Sequence, residues 1–255
     1  MEQIMLQGFK PPEFRSIEII KAHEPPDGYW LAFSGGKDSI VLYDLACRAE
    51  VKFDAHYNNT TCDPPELIYF MREYYPFVIW EHPAKSIWDA IPERGFPMRN
   101  GRWCCEEYKE RGGQGRFVLT GIRAEESPRR RRRQIVESCY KDTSKIYVNP
   151  IIFWSKTEVW DYIKSRNLPY CSLYNNGWSR IGCVICPFEA QIKERLAAYP
   201  GYYKLLQRAF MKLYENIKHR PSARRWQNSE EMLEWWLGRN RSSASKDTAT
   251  LPLFS

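Results

Sequence analysis

The chain has 255 residues, 43% of them hydrophobic, and a formal net charge of +7. That length allows one large α/β domain, or one domain with a helical appendage. No apolar run approaches a membrane span, so a helical integral membrane protein is excluded and no membrane partner is expected. Met1 to Lys10 lack the apolar stretch of a secretory signal, which makes a cytoplasmic protein the expectation. The positive balance points to anionic partners, and nucleotides alone would satisfy it.

Residues 1–28 read as an N-terminal segment. The first strand is expected at Tyr29–Phe33, followed by a helix over 38–49. Strands follow at Phe53–Asn58 and Phe77–Trp80, with helices near 64–74 and 85–91. Further strands are expected at Phe117–Thr120 and Tyr147–Ile151. This alternation predicts an α/β fold: a mainly parallel twisted sheet with helices on both faces, over residues 29–190. Ser155-Lys156-Thr157-Glu158 is a capping box that opens a helix ending near Asn167. In Tyr202–His219, Leu205, Leu206, Ala209, Phe210, Leu213 and Ile217 recur at helical spacing. Ser229–Leu237 reads as another helix, so residues 191–240 form a C-terminal helical appendage. The Ser-, Lys- and Thr-rich tail, 241–255, is expected to be disordered.

Ser34-Gly35-Gly36-Lys37-Asp38-Ser39 follows the first expected strand and opens the first expected helix. Two glycines permit close backbone approach, and amides at a helix start attract anions. Lys37 adds a full charge, while Ser34 and Ser39 add hydroxyls. The segment reads as a phosphate cradle, but not as the common P-loop. That motif needs a glycine where this chain has Leu31, and here Asp38 follows the lysine. The segment instead resembles the pyrophosphatase-loop signature Ser-Gly-Gly-x-Asp-Ser. The bland reading, a plain strand-to-helix turn, explains neither the lysine nor the order of parts.

Eight cysteines are present, at 47, 62, 104, 105, 139, 171, 183 and 186. Close pairs outside a secretory context read as metal ligands or redox groups. Cys183-Val184-Ile185-Cys186 has knuckle spacing between turn residues Gly182 and Pro187, and Cys104-Cys105 adds two thiolates. Four thiolates suit either tetrahedral zinc or a four-iron cluster. Neighbouring side chains diverge, which favours the larger cubane with its separate iron corners. Zinc, a thiol pair and a buried structural role stay open as alternatives.

Thr120-Gly121-Ile122-Arg123 follows a strand, which places Arg123 at a sheet's ligand-binding edge, with Glu125 and Glu126 to orient it. The alternative is a surface salt-bridge turn. Arg129 to Arg133 are five consecutive arginines, a run that favours a nearby polyanion. A nucleic-acid acceptor and a solvated basic loop are both compatible with it. Sixteen Tyr and ten Trp lie in the same basic chain, and rings beside cations suit bases, although core packing accounts for most single rings.

Four segments together resemble the phosphoadenylyl-sulfate (PAPS)/adenylyl-sulfate reductase family, within the adenine nucleotide α-hydrolase-like (PP-loop) superfamily. They are Ser34–Ser39, Arg102–Lys109, Thr120–Ser127 and Arg180–Pro187. The resemblance implies a nucleotide site at Ser34, Gly35, Gly36, Lys37, Asp38, Ser39, Thr120, Gly121 and Arg123. It implies a [4Fe–4S] cluster on Cys104, Cys105, Cys183 and Cys186, with Lys109 near cluster and substrate. Cluster-bearing members carry an Arg-Lys pair there, whereas this chain has Tyr108-Lys109. Family reductases attack sulfate sulfur with a C-terminal cysteine; no cysteine follows Cys186 here, and Cys62, Cys139 or Cys171 would have to substitute. The expectation is therefore an enzyme that binds ATP with Mg²⁺, adenylates an acceptor through Lys37, Asp38, Arg123 and Lys109, and passes sulfur to it from a donor protein. The alternatives are reduction of adenylyl sulfate or phosphoadenylyl sulfate by a thiol donor, and a non-catalytic nucleotide-binding redox module.

Overall fold

The computed structural model describes residues 11–239, so the segments 1–10 and 240–255, with the tail expected to be disordered, lie outside the described residues. In chain order the elements are α1 (Pro12–Ala22), β1 (Tyr29–Ala32), α2 (Lys37–Ala49), β2 (Phe53–Asn58), α3 (Pro65–Tyr74) and β3 (Ile79–Glu81). Next come α4 (Ile87–Arg94), α5 (Trp103–Tyr108), β4 (Phe117–Leu119), α6 (Pro128–Arg131), β5 (Val136–Ser138) and β6 (Ile146–Val148). The last are α7 (Lys156–Ser165), α8 (Ile192–Ala198), α9 (Pro200–Ile217) and α10 (Ser229–Arg239). No described helix is long and apolar enough to cross a membrane.

The chain divides into two interleaved units. The first, residues 1–57, 66–81 and 112–181, holds a six-stranded sheet of order β3-β2-β1-β4-β6-β5. β1 pairs parallel with β2 and β4, and β4 pairs parallel with β6; β5 pairs antiparallel with β6 at the edge. The register sets Leu31 beside Ala55 on one side and Leu119 on the other. Tyr29 and Leu31 of β1 are fully buried, as are Val41, Leu42 and Leu45 of α2. Each such aliphatic side chain contributes about 1.5–3 kcal/mol by leaving water. α7 starts with the expected capping box: Ser155 Oγ accepts from Glu158 N at 3.1 Å, and Glu158 accepts from Ser155 N at 2.6 Å.

β1 and β4 end one residue before their expected ends, and two strands, β3 and β6, depart further, each for a local reason. β3 begins at Ile79 because Val78 N turns back to Tyr75 O. β6 stops at Val148: Asn149 N leaves for Ile135 O, Pro150 has no amide to give, and Ile152 N closes a turn on Asn149 O. β5 is not expected from the sequence, because Val-Glu-Ser is too short and polar to stand out. Nor are α1, α5, α6 and α8. α5 and α6 are only six and four residues long, below the span over which apolar periodicity shows.

The second unit, residues 58–65, 82–111 and 182–255, is helical where described. Phe96, Phe210, Trp226 and Trp236 are buried in its core, with the Phe96 and Phe210 rings stacked at 5.8 Å. Trp236 Nε1 donates to Pro97 O at 2.7 Å, so the indole is buried without losing its hydrogen bond.

Candidate functional site

In the first unit β1 has β2 on one side and β4 on the other, so strand order reverses between β1 and β4. In open α/β sheets that is where ligands bind, outside the carboxyl ends of the strands. The loop after β1 carries Ser34 to Ser39, and the loop after β4 carries Thr120 to Arg123. Gly35 turns the chain with φ +67°, a value that disfavours any Cβ. Gly36 then caps α2.

Gly121 lets the two loops meet: a Cβ there would stand 2.9 Å from Asp38 O and 3.3 Å from Ser39 N. Thr120 N still donates to Val148 O at 3.0 Å, so pairing runs one residue past β4. The Thr120 hydroxyl donates to Asn149 Oδ1, which fixes the start of the second loop.

The polar groups of the first loop are tied together. Ser34 N donates to Ser39 Oγ at 3.2 Å, and Ser39 Oγ donates to Gly36 O at 2.8 Å. Gly36 N reaches Ser34 Oγ at 3.4 Å. Asp38 lies between two cations: its Oδ2 accepts from Lys37 Nζ at 2.9 Å and its Oδ1 from Arg123 Nε at 2.6 Å. Both cations are buried, at 6% and 4% side-chain exposure, while Asp38 keeps 19%. Burial works against the Arg123 charge, but Asp38 and then Glu126 and Glu125 outweigh it and raise its pKa. Glu125 accepts from Arg123 Nη1 at 2.9 Å and from Lys156 N at 2.7 Å, which anchors the guanidinium to α7. Glu126 accepts from Arg123 N at 2.8 Å. Arg123 is thus at the expected edge, with Nε committed to Asp38 and Nη1 to Glu125 and Trp154 O.

Tyr174 joins the site without any sign in the sequence. Its hydroxyl accepts from Lys37 N at 3.0 Å, and Lys37 Nζ lies 5.9 Å from its ring centroid. Burial pushes its phenol pKa up. A tyrosine 137 residues away along the chain carries no local signal of this approach.

The four expected metal ligands and Lys109 lie in the second unit, together with Cys62. Cys104 and Cys105 hydrogen-bond to each other; that bond, and then Arg102 and Lys109, bring Cys105 down to about 5 although burial opposes it. The same bond pushes Cys104 up, with burial and the nearby charges of Cys105, Cys183 and Cys186 adding to it. A hydrogen bond from Cys62 lowers Cys183, and Lys109 lowers it further. Burial opposes the Lys109 charge, but Cys183, Asp63 and Cys186 together raise its pKa. Cys62 is fully buried, and its carbonyl accepts from Val184 N at 2.9 Å.

Burial also drives the Cys62 thiol well up, and the Cys171 thiol, in the first unit, is buried and raised too. Neither is an accessible thiolate. Cys139 is buried in the β5–β6 hairpin; burial raises it, but the Lys141 and Asp142 amides and Tyr147 prevail and lower it.

Among the described residues, no three His, Cys, Asp or Glu side chains converge as a metal-holding group. Cys104 hydrogen-bonds with Cys105, and Cys183 with Cys62. The donor set nevertheless suits an iron–sulfur centre: soft thiolates, two of them lowered, beside the cations of Arg102 and Lys109. Two buried donors beside the cysteine pair, Arg102 Nε and Trp103 Nε1, have no hydrogen-bond partner among the described residues. Such donors are what cluster sulfurs accept from. A carboxylate, Asp38, is likewise the hard oxygen ligand that Mg²⁺ accompanying a triphosphate takes.

Comparison with known proteins follows the same segments. Residues 28–189 match the phosphoadenosine phosphosulfate reductase domain. An adenosine 5′-phosphosulfate reductase of Geobacillus thermodenitrificans is 33% identical over 61% of this chain and 71% of its own length. Another, from Shouchella clausii, is 31% identical over 67% of this chain and 76% of its own. An uncharacterized protein of Methanocaldococcus jannaschii is 29% identical over 81% of this chain. This chain spans 44% of that relative and 40% of a second one from the same organism. A phosphoadenylyl-sulfate reductase from Candida auris, solved as a phosphate complex, shares the fold at TM-score 0.51 and 21% identity, covering 66% of this chain and 87% of that one.

Proposed function

The chain belongs to the phosphoadenosine phosphosulfate reductase family, and from that premise we propose that it is an ATP-dependent adenylating enzyme that prepares an acceptor for sulfur transfer. The observation that carries this reading is Asp38 held between Lys37 and Arg123 at the point where strand order reverses. A triphosphate brings more negative charge than a sulfonucleotide's single phosphosulfate bridge. Two cations and a carboxylate beside a glycine turn match that demand.

An acceptor oxygen attacks the α-phosphorus, a new P–O bond forms, and the bond to the leaving pyrophosphate breaks. Lys37 moves from Asp38 to the departing phosphates and offsets the charge that grows there. Arg123, anchored by Glu125, stays to orient the α-phosphate. Asp38 would hold the Mg²⁺ that neutralises the leaving group. A sulfur nucleophile from a donor then displaces AMP from the activated acceptor. A [4Fe–4S] cluster would be held by Cys104, Cys105, Cys183 and Cys186 and would supply a redox-active, sulfur-binding iron centre. Lys109, raised beside Cys183, stays cationic and offsets thiolate charge.

The relatives named adenosine 5′-phosphosulfate reductase favour a second reading, reduction of adenylyl sulfate with an external thiol. Against it, the Cys62 and Cys171 thiols are buried and raised, so neither is a ready nucleophile toward sulfur, and Cys139, though lowered, is buried in the β5–β6 hairpin. The two readings separate in one assay. The protein, purified without oxygen, is given ATP and a set of acceptors, or adenylyl sulfate and dithiothreitol. Pyrophosphate release that Lys37→Ala abolishes supports adenylation; sulfite release from adenylyl sulfate overturns it. Iron and acid-labile sulfide at about four each per chain are expected, whereas zinc in their place would refute the cluster.

A further inference from the structure

We propose that the exposed face formed by α6 and the β5–β6 hairpin of the first unit binds single-stranded nucleic acid. Residues 125–145 carry seven basic side chains against four acidic ones. Two arginines of the run are already neutralised: Arg130 pairs with Glu126, and Arg133 with Glu137. Arg129, Arg131 and Arg132 are exposed and make no ion pair with any described residue. Three guanidiniums held together without counter-charge form an anion-binding surface rather than a salt-bridged one.

The second observation concerns an aromatic ring. Tyr140 is 73% exposed, the most exposed large hydrophobic side chain described. Arg129 Nη2 donates to its hydroxyl at 3.3 Å, and Lys141 Nζ lies 5.8 Å from its ring centroid. The ring is therefore held in place among cations while most of its surface stays in water. The hairpin places it: Cys139 N donates to Lys145 O at 2.9 Å, and Asp142 accepts from Ser144 N and Oγ at 3.1 and 2.6 Å to close the tip.

An exposed ring beside arginines that carry no counter-charge matches the combination that grips unpaired nucleotides, stacking for a base and guanidiniums for the phosphates on either side. A duplex offers phosphates but no open base face to Tyr140. An acidic peptide would use the cations and leave the ring idle. A membrane surface calls for several apolar anchors, whereas among the described residues of 125–145 Tyr140 is the one exposed large hydrophobic side chain.

The inference deepens the adenylation reading, since it gives the acceptor a chemical class, but binding is measurable with no nucleotide present. The test uses the full chain and fluorescein-labelled 20-mers of dT and rU at low salt. Duplex DNA, polyglutamate and phosphatidylserine vesicles serve as comparators. Both single strands are expected to bind with dissociation constants on the order of micromolar. Arg131→Ala with Arg132→Ala should weaken binding and flatten the slope of log affinity against log salt by roughly 0.7 for each phosphate the strand no longer presents to a guanidinium. Tyr140→Ala should weaken it about tenfold at unchanged salt slope, with circular dichroism and ATP affinity unaltered. Absence of single-strand binding, equal binding to duplex, polyglutamate or vesicles, or no effect of Tyr140→Ala would each overturn the proposal. Loss of pyrophosphate release with strand binding intact would instead strike the adenylation reading alone.

Discussion

Replacing Gly121 by alanine tests the meeting of the two loops without touching any chemical group. The added methyl would stand 2.9 Å from Asp38 O, 3.0 Å from Asp38 C and 3.3 Å from Ser39 N, where ordinary contact begins at 3.4 Å. The first turn of α2 must then retreat by about 0.5 Å, a strain of the overpacking kind that costs about 1–3 kcal/mol. Main-chain atoms cannot rotate aside as a side-chain end would, and Ile40, Val41 and Leu42, next along α2, are buried at 1% exposure or less. The same retreat displaces the amides and Lys37 from any phosphate, for an expected loss of about tenfold in ATP affinity. Equilibrium urea unfolding followed by circular dichroism reads the stability, and calorimetric titration reads the affinity. Gly201→Ala is the control. Gly201 is the second residue of α9 with nothing within 4 Å of its added methyl, so the same substitution should be neutral or stabilise by up to about 1 kcal/mol. If both alanine variants behave alike, or Gly121→Ala leaves midpoint and affinity unchanged, the close approach of the loops is not what builds this site.

Two further outcomes follow from buried partners. Asp38→Asn keeps the shape but leaves Lys37 and Arg123, both nearly buried, without their shared anion; a loss of about 3 kcal/mol is expected by urea unfolding, and an unchanged midpoint would mean the pair is solvated. Trp236→Phe keeps an aromatic ring but leaves a cavity and strands Pro97 O in the core; a loss of about 1–3 kcal/mol is expected by thermal unfolding, and no loss would mean that the core closes over the gap and water reaches this carbonyl.

Most of the sheet is legible in the sequence because its strands are short apolar runs followed by glycine or by a helical pattern. Tyr29–Ala32 and Phe53–Asn58 announce themselves this way, and the lysine of the first loop marks the edge where a ligand is expected. Val136–Ser138 does not, since a polar edge strand of three residues has no period to detect. The site divides along the same line. Lys37, Asp38 and Gly121 stand in motifs whose spacing has a physical reason. Tyr174 and the engagement of Arg123 by Asp38 depend on tertiary approach across 137 and 85 residues, which no local pattern encodes. Cys62 is the instructive case. Its position after the second strand suggests a thiol at the nucleotide edge, but the chain carries it into the second unit, where it is buried and hydrogen-bonded with Cys183.

The loop's own hydrogen bonds explain why substitutions there should separate folding from binding. Ser39 gives its hydroxyl to Gly36 O, Lys37 N is met by the Tyr174 hydroxyl, and Lys37 Nζ rests on Asp38. Each group that would face a phosphate therefore exchanges one partner for another when nucleotide arrives, and affinity is the difference between two satisfied arrangements. Losing the Lys37 ammonium removes a group that serves both arrangements and can be spared in one, since Asp38 still has Arg123. Its effect should fall on binding. Losing the Asp38 charge leaves buried Lys37 without its anion and buried Arg123 with Glu125 alone, so its effect should fall first on folding. The two adjacent residues thus carry opposite burdens, and comparing their variants measures how far this turn is built for its ligand rather than for the fold.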